Sequence, residues 1–181
     1  MRDTSLCLYL AGLQEDSIVD GPGMRLAVFT QGCPHHCPGC HNPETWPTGG
    51  VAWRVEELLD KIRHNALCGG LTLSGGEPLA QAASCAQLAQ GAKEAGRNVW
   101  LYSGYTWEDI QRMMDEEEAV KRLMQHVDVL VDGPFMLAER DLTLLFRGSR
   151  NQRLVDVPGS LQSGALRLWE STYGNADTSL K

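Results

Sequence analysis

Residues 31–46 read QGCPHHCPGCHNPETW, and this stretch carries the strongest chemical signal in the chain. Its three cysteines, Cys33, Cys37 and Cys40, follow the spacing C-x3-C-x2-C. Prolines and glycines between them keep the segment irregular, so three thiolates can reach one inorganic centre without moving the rest of the fold. A closed structural zinc site needs four ligands, and an ordinary electron-transfer [4Fe–4S] cluster needs four cysteines. Three cysteines on a cubane cluster therefore predict one iron left free to bind something else.

This spacing resembles the signature of the radical S-adenosylmethionine (SAM) superfamily. The string SIVDGPGMR at residues 17–25, followed by QGCP at 31–34 and CHNPETW at 40–46, narrows the resemblance. It is similar to the activating enzymes of glycyl-radical enzymes, and within them to the group that activates anaerobic ribonucleoside-triphosphate reductase. The resemblance covers about residues 8–158, which is most of the chain.

The resemblance implies a mechanism and a set of partners. A [4Fe–4S] cluster would sit on Cys33, Cys37 and Cys40, and SAM would chelate the open iron. A flavodoxin- or ferredoxin-like donor would reduce the cluster, SAM would be cleaved to a 5′-deoxyadenosyl radical, and that radical would take a hydrogen atom from a glycine. The glycine would belong to a large glycyl-radical reductase subunit, so a protein segment is the expected substrate.

Two loops are expected to hold SAM on the strength of the same resemblance. Gly39 and the backbone of Cys40 would contact the nucleoside, and His41 would stack beside it. The sequence SGGEP at residues 74–78 resembles the family's GGE-type motif. Its Gly75 and Gly76 permit close approach of the backbone to a ligand, and the Glu77 carboxylate can accept hydrogen bonds from an ammonium group. These three residues are therefore expected to bind the amino group of SAM.

Asp132 and Arg147 complete the predicted site. Asp132 follows an apolar run in the sequence DGPF and is compared with an aspartate that lies near the ligand in pyruvate formate-lyase activators, within a D-x-K pattern. The lysine is missing here, which fits the reductase activators better; a turn aspartate is the equal alternative. Arg147 opens the stretch RGSRNQ at 147–152, which resembles a segment of the reductase activators. An arginine can bind a carboxylate through two hydrogen bonds, and a solvated loop is the alternative.

Three other functions stay open from the residues alone. The chain could activate a different glycyl-radical enzyme, of the pyruvate formate-lyase type, or be another small radical SAM enzyme. It could instead be an iron–sulfur or zinc module without catalysis. A zinc site would need a fourth ligand, which His35, His36 or His41 could supply.

Composition limits the class of protein. The chain has 181 residues and a net charge of −7, with a pI of about 5.2. An acidic chain lacks the basic face of a sequence-independent nucleic-acid binder and the attraction to anionic membranes. Its six cysteines are three clustered and three scattered, unlike a secreted disulfide scaffold, and the apolar run at 6–13 is too short for a leader. We therefore expect a reduced cytoplasmic protein.

The order of apolar runs and periodic helices predicts a parallel α/β sheet. Strands are predicted at 25–30, 71–73, 98–102 and 127–131, with a further strand at 6–10. Helices are predicted at 51–65, at 79–95 and at 106–125, with the acidic run 115–118 as a candidate break in the last of them. Later strands are predicted at 153–157 and 165–169. Four parallel strands are too few for a full eight-stranded barrel. The expected fold is a partial (β/α) barrel of the radical SAM type, shortened, forming one domain over 1–170 with a disordered tail at 171–181.

The unusual loops share one position in this pattern. The cysteine loop (residues 31–46), SGGEP, SGY at 103–105 and DGPF at 132–135 each follow a predicted strand. Loops at the carboxyl ends of parallel strands meet on one rim, which is where the active sites of such folds lie. The sequence therefore predicts a single site built from four loops.

Overall fold

A computed structural model describes residues 6–170, so the predicted tail at 171–181 lies outside the described residues. The strands, numbered in chain order, are β1 Cys7–Ser17, β2 Arg25–Thr30, β3 Val51–Arg54, β4 Gly70–Gly75, β5 Asn98–Tyr102, β6 Val129–Asp132 and β7 Arg153–Asp156. The α-helices are α1 Val55–His64, α2 Ala82–Glu94, α3 Trp107–Glu116, α4 Glu118–Met124 and α5 Val157–Ser163.

The seven strands form one open sheet in the order β3-β1-β2-β4-β5-β6-β7. The central strands β2, β4, β5 and β6 pair in parallel. The outer strands β1, β3 and β7 pair antiparallel. The four parallel strands are the four predicted most clearly from sequence, and the sheet does not close. The expectation of a shortened α/β fold is therefore confirmed.

Helices cover the sheet with their apolar faces. In α1, Val55, Leu58, Leu59 and Ile62 are all buried, which is the i, i+3, i+4, i+7 pattern seen in the sequence. In α2, alanines and Gly91 let the helix lie close to α1. A Cβ at Gly91 would lie only 2.5 Å from the Leu59 side chain. No helix among residues 6–170 combines the length and the apolar character needed to cross a membrane.

Several predicted boundaries were wrong. The helix predicted at 51–65 begins only at Val55, because Val51–Arg54 pairs with β1 as an edge strand. The Arg54–Glu57 side-chain contacts then start the helix. The helix predicted at 79–95 opens with a 3₁₀ turn, Pro78–Gln81. Of the late strand predicted at 165–169, one isolated bridge to Val155 is present.

The third predicted helix is two helices. Thr106 caps α3 through a reciprocal pair of hydrogen bonds with Asp109, as its sequence suggests. Glu117 takes an extended conformation between α3 and α4, within the acidic run at 115–118. Helix α5 was not predicted; its first turn is capped by Asp156, whose side chain accepts a hydrogen bond from the Gly159 N–H.

The parallel strands all deliver their following loops to one edge of the sheet. The cysteine loop follows β2, and SGY follows β5. SGGEP begins within the last two residues of β4, and DGPF begins at the last residue of β6. These four strands are adjacent in the sheet. The prediction that four unusual loops meet at one edge is therefore correct.

Candidate functional site

The cysteine loop presents its three thiols to one cavity. Cys33, Cys37 and Cys40 are all partly exposed and line an inner cavity of about 120 Å³. Two backbone hydrogen bonds close the base of the loop, from the Gly32 N–H to the Thr45 carbonyl (2.7 Å) and from the Cys33 N–H to the Trp46 carbonyl (3.1 Å). The thiols thus lie on a loop whose two ends are held together.

Burial raises the pKa of the Cys33 thiol, although the backbone N–H groups of His35 and His36 act in the opposite direction. A thiol in such a position stays protonated more readily than a free cysteine. A bound metal reverses this, because coordination deprotonates a thiol outright. The raised pKa therefore argues against Cys33 as a free nucleophile, which would need the thiolate form.

The two glycines of SGGEP let their loop run directly against the cysteine loop. Gly75 has a φ of +97°, and a Cβ there would lie 2.5 Å from the Thr30 nitrogen. A Cβ at Gly76 would lie 2.3 Å from the Gly32 carbonyl oxygen. The Gly76 N–H donates to the Thr30 carbonyl and the Glu77 N–H to the Gly32 carbonyl, both at 2.8 Å. The close approach that the glycines permit is, in these contacts, to the protein's own backbone.

The Glu77 side chain is fully buried and bonded to protein groups. Its carboxylate accepts from Ser103 Oγ at 3.0 Å, from the Gly104 N–H at 2.9 Å and from the Leu79 N–H at 3.1 Å. The fourth neighbour of the carboxylate is His35, whose Nε2 lies 2.8 Å from Glu77 Oε2. Since a carboxylate offers about four acceptor positions, these donors fill it. Gly75 and Gly76 line the inner cavity, and the expected contact between Glu77 and an ammonium group stays a prediction.

A larger outer cavity of about 590 Å³ continues from the inner one. Both are lined by the same six residues, Cys40, Ser74, Gly75, Tyr102, Phe135 and Gln152. A cavity of this volume falls within the range for small-molecule ligands and cofactors. The thiol-lined space therefore opens directly into a space large enough for an organic molecule.

His41 and Arg147 line the outer cavity. The His41 ring faces Phe135, with centroids 5.2 Å apart and planes inclined at 52°. Arg147 donates one hydrogen bond, from Nη1 to the Gln152 carbonyl at 2.9 Å, whereas its Nε is buried without a partner. The wall of the cavity thus contains an aromatic pair and a guanidinium group.

Two predicted residues lie elsewhere. Gly39 is exposed and positive in φ at +78°, and a Cβ there would touch the Leu137 side chain at 3.0 Å; it lines neither cavity. Asp132 is 1% exposed and lines neither cavity. Its carboxylate pairs with Arg153 at 2.5 Å and accepts from the Trp107 N–H at 2.7 Å. These contacts tie β6 to β7 and to the start of α3, and the expected contact of Asp132 with a cofactor stays a prediction.

Three residues that the sequence reasoning missed line both cavities: Tyr102, Phe135 and Gln152. Tyr102 is the last residue of β5, and Phe135 belongs to the DGPF loop, so their positions at strand ends could have indicated them. Gln152 holds the RGSRNQ segment against that loop, since its Nε2 donates to the Gly133 carbonyl at 3.1 Å. This segment is therefore a packed wall of the site and not a solvated loop.

Each histidine of the loop contacts another side chain. His35 is directed at Glu77, His36 packs on Trp46 with centroids 4.8 Å apart, and His41 faces Phe135. Over residues 6–170, no three or more His, Cys, Asp or Glu side chains are arranged around a position for a single ion. Because each cysteine of a cubane cluster binds a different iron, a cluster does not require the three thiols to converge on one point.

Comparison with known proteins identifies the family to which this chain belongs. The family described as "4Fe-4S single cluster domain" matches residues 19–155 of the chain. An anaerobic ribonucleoside-triphosphate reductase-activating protein from Vibrio cholerae is 37% identical over 144 residues, which cover 75% of this chain and 89% of the relative. The chain belongs to this activating-protein family.

Other members of the family are similarly related. The activating protein of the same name from Escherichia coli K12 is 33% identical over 144 residues, covering 75% of this chain and 90% of the relative. Its counterpart from Enterobacteria phage T4 is 34% identical over 145 residues, covering 75% and 86%. The region matched by the family, residues 19–155, contains the cysteine loop and every residue that lines the two cavities.

Proposed function

We propose that this chain is a radical SAM activase that generates a glycyl radical on the large subunit of anaerobic ribonucleoside-triphosphate reductase. The carrying observation is the continuity of the two cavities, one lined by three thiols and the other by groups suited to a nucleoside and an amino acid. The relatives' shared name supports the choice of partner. A flavodoxin- or ferredoxin-like protein would supply electrons.

Cys33, Cys37 and Cys40 would hold a [4Fe–4S] cluster in the inner cavity. No fourth cysteine lines that cavity, so the protein provides three ligands and leaves one iron to the second cofactor. When bound, the cluster and SAM together supply one-electron cleavage of a sulfur–carbon bond and, through it, abstraction of a hydrogen atom from a glycine. The protein's part is to hold both groups, to orient them and to limit the access of water.

Residues of the outer cavity would hold SAM. Arg147, which lines this cavity, is suited to the carboxylate, since a guanidinium binds carboxylates through paired hydrogen bonds. His41 and Phe135 are suited to the adenine ring, because their faces are already inclined toward one another in this cavity. The carbonyl groups around Gly75 and Gly76, rather than the Glu77 side chain, are the available acceptors for the amino group.

A protein segment is the proposed substrate, and the rim of the outer cavity supports this. Val19 and Leu142 line the cavity and are 74% and 78% exposed. Exposed apolar side chains beside a cavity are typical of surfaces that contact another protein. A glycine-bearing loop of the reductase could cover these side chains while its backbone reaches the cavity.

The test is radical transfer to a defined partner. The reconstituted chain, reduced in the presence of SAM, is incubated anaerobically with the large reductase subunit from the same organism, and the organic radical is followed by electron paramagnetic resonance (EPR). The proposal predicts a glycyl doublet on the reductase and none on a variant that carries alanine at the acceptor glycine. Parallel incubation with a pyruvate formate-lyase separates the alternative partner. A doublet on the lyase alone, or on neither protein, contradicts the proposal.

A further inference from the structure

His35 connects the cysteine loop to the interior of the protein. Its Nε2 lies 2.8 Å from the Glu77 carboxylate, across 42 positions of sequence. Within the described residues, this is the one hydrogen bond that links residues 34–39 to a residue outside the cysteine loop. Pro34 and Pro38, which lie within this segment, have no N–H to donate. The part of the loop between the first and third cysteines thus depends on a single polar anchor.

The partner of His35 is itself rigidly held. Glu77 is 0% exposed and accepts from Ser103 Oγ, the Gly104 N–H and the Leu79 N–H at 2.9–3.1 Å. These donors come from the loop after β5 and from the turn after β4. Because an ionised carboxylate only accepts hydrogen bonds, the contact assigns His35 the tautomer whose Nε2–H donates to Glu77. A buried carboxylate with fixed partners is a firm anchor, since removing one donor leaves acceptor capacity unsatisfied.

The ring of His35 also fits a preformed slot. It meets Tyr105 edge to face, with centroids 4.5 Å apart. A Cβ on Gly104 would come within 2.4 Å of the ring, so the absence of a side chain at Gly104 is what makes room for it. The loop that follows β5 therefore both shapes the space for the imidazole and holds the carboxylate that binds it.

We propose that His35 is a positioning residue for the metal centre. It fixes the segment between Cys33 and Cys37 against the ends of β4 and β5, and thereby sets where these two thiols stand in the inner cavity. Glu77 acts in this arrangement through His35 and not by contact with the cofactor. The identity of the metal centre in this inference rests on the proposed function. The contacts of His35 that hold the loop against the sheet are independent of that function.

The neighbouring histidine provides a matched control. His36 lies in the same loop, but its ring packs on Trp46 and it makes no hydrogen bond to Glu77. Its φ is +47°, a conformation that asparagine tolerates better than most residues. His36→Asn therefore changes an imidazole one position away while preserving the backbone and leaving the anchor intact.

The first test uses the apoprotein, so it is independent of any cluster. Hydrogen–deuterium exchange of the peptide spanning residues 31–46 is compared for wild type, His35→Ala, His35→Gln and His36→Asn. We expect exchange to be on the order of tenfold faster or more in His35→Ala, because a hydrogen bond to a buried charged group is lost. His35→Gln should restore part of the protection, since its amide can donate at similar reach, and His36→Asn should match wild type. Circular dichroism must show that each variant is folded. Equal exchange in wild type and His35→Ala overturns the inference.

The second test reads the metal centre itself. After anaerobic reconstitution and reduction, the EPR spectrum is recorded with and without SAM, together with iron per chain. We expect altered g-values or at least twofold lower iron content in His35→Ala, partial recovery in His35→Gln and the wild-type spectrum in His36→Asn. If wild type forms a cluster and His35→Ala gives the same spectrum and iron content, the positioning role is wrong although the proposed function stands. If wild type forms no cluster, the proposed function fails, and the exchange experiment alone decides whether His35 anchors the loop.

Discussion

The substitution Asp132→Asn separates a structural role for this aspartate from the cofactor contact that sequence comparison suggested. Asp132 is 1% exposed. Its carboxylate accepts from Arg153 Nη2 at 2.5 Å, from the Arg153 backbone N–H at 3.2 Å and from the Trp107 N–H at 2.7 Å. Asparagine has nearly the same shape, so it removes the charge and replaces one acceptor by a donor without leaving a cavity.

The expected loss of stability follows from these contacts. Removing one partner of a buried ion pair costs about 3–5 kcal/mol. Arg153 is 32% exposed and keeps Glu108 at 2.7 Å as a second partner, so the low end, about 3 kcal/mol, is appropriate. At roughly 2–4 °C per kcal/mol for a chain of this size, the Tm should fall by about 6–12 °C.

The assay is thermal and urea unfolding of the apoprotein under anaerobic, thiol-reducing conditions. Asp115→Asn is the matched control, since Asp115 is exposed on α3 and its substitution should change stability by no more than about 0.5 kcal/mol. SAM binding by the reconstituted Asp132→Asn protein, measured below its Tm, should equal that of wild type. A variant as stable as Asp115→Asn but with weaker SAM binding would refute the structural assignment and restore the cofactor contact.

Three further predictions follow from the geometry. Gly76→Ala should destabilise the protein by about 2 kcal/mol and reduce iron uptake, because the new Cβ would lie 2.3 Å from the Gly32 carbonyl. Gly69→Ala, whose nearest contact is 3.5 Å, should do neither in the same unfolding and iron assays. Phe135→Ala should weaken equilibrium binding of SAM up to about tenfold, the effect of losing one aromatic pair, while the iron content stays unchanged. Tyr9→Ala should change neither SAM binding nor iron content. The pKa of Asp109 is lowered from 3.8, chiefly by the hydrogen bond from the Thr106 hydroxyl. The ionised Asp109 therefore contributes to stability above about pH 4, and this contribution is lost as the pH falls further. In unfolding curves recorded between pH 2.5 and 6, Thr106→Ala should reduce that loss, and an unchanged pH profile would contradict the assignment.

The parallel core of the fold could be predicted because its strands carry the signal locally. Segments such as VDVLV at 127–131 are short apolar runs bounded by turn residues, which is how a strand buried on both faces appears in sequence. Edge strand β3 has four residues and merges with the helical pattern that follows, so only its pairing with β1 distinguishes it. Helix α5 has seven residues, too few for its periodicity to stand out.

The residues of the candidate site fall into the same two groups: those that local sequence singles out and those whose contacts depend on the tertiary fold. The cysteines, His41 and Arg147 stand out in the sequence through their spacing or their neighbours, and their binding roles stay predictions. The hydrogen-bond partners of Glu77 and Asp132 could not be predicted, since each partner is distant in sequence. Glu77 is bonded to His35, 42 positions away, and Asp132 to Arg153, 21 positions away. A carboxylate at a strand end has the same local sequence whether it faces a ligand or a buried donor, and only the tertiary contacts distinguish the two.

The central claim is that three cysteines of this chain hold a cluster that acts on SAM. The most direct measurement is anaerobic reconstitution with iron and sulfide, reduction in the presence of SAM, and quantification of 5′-deoxyadenosine. Wild type and Cys7→Ser, a substitution outside the cysteine loop, should form the cluster and produce 5′-deoxyadenosine, whereas Cys37→Ala should not. A wild-type protein that binds zinc in place of a cluster, or a Cys37→Ala variant that cleaves SAM as wild type does, would contradict the account.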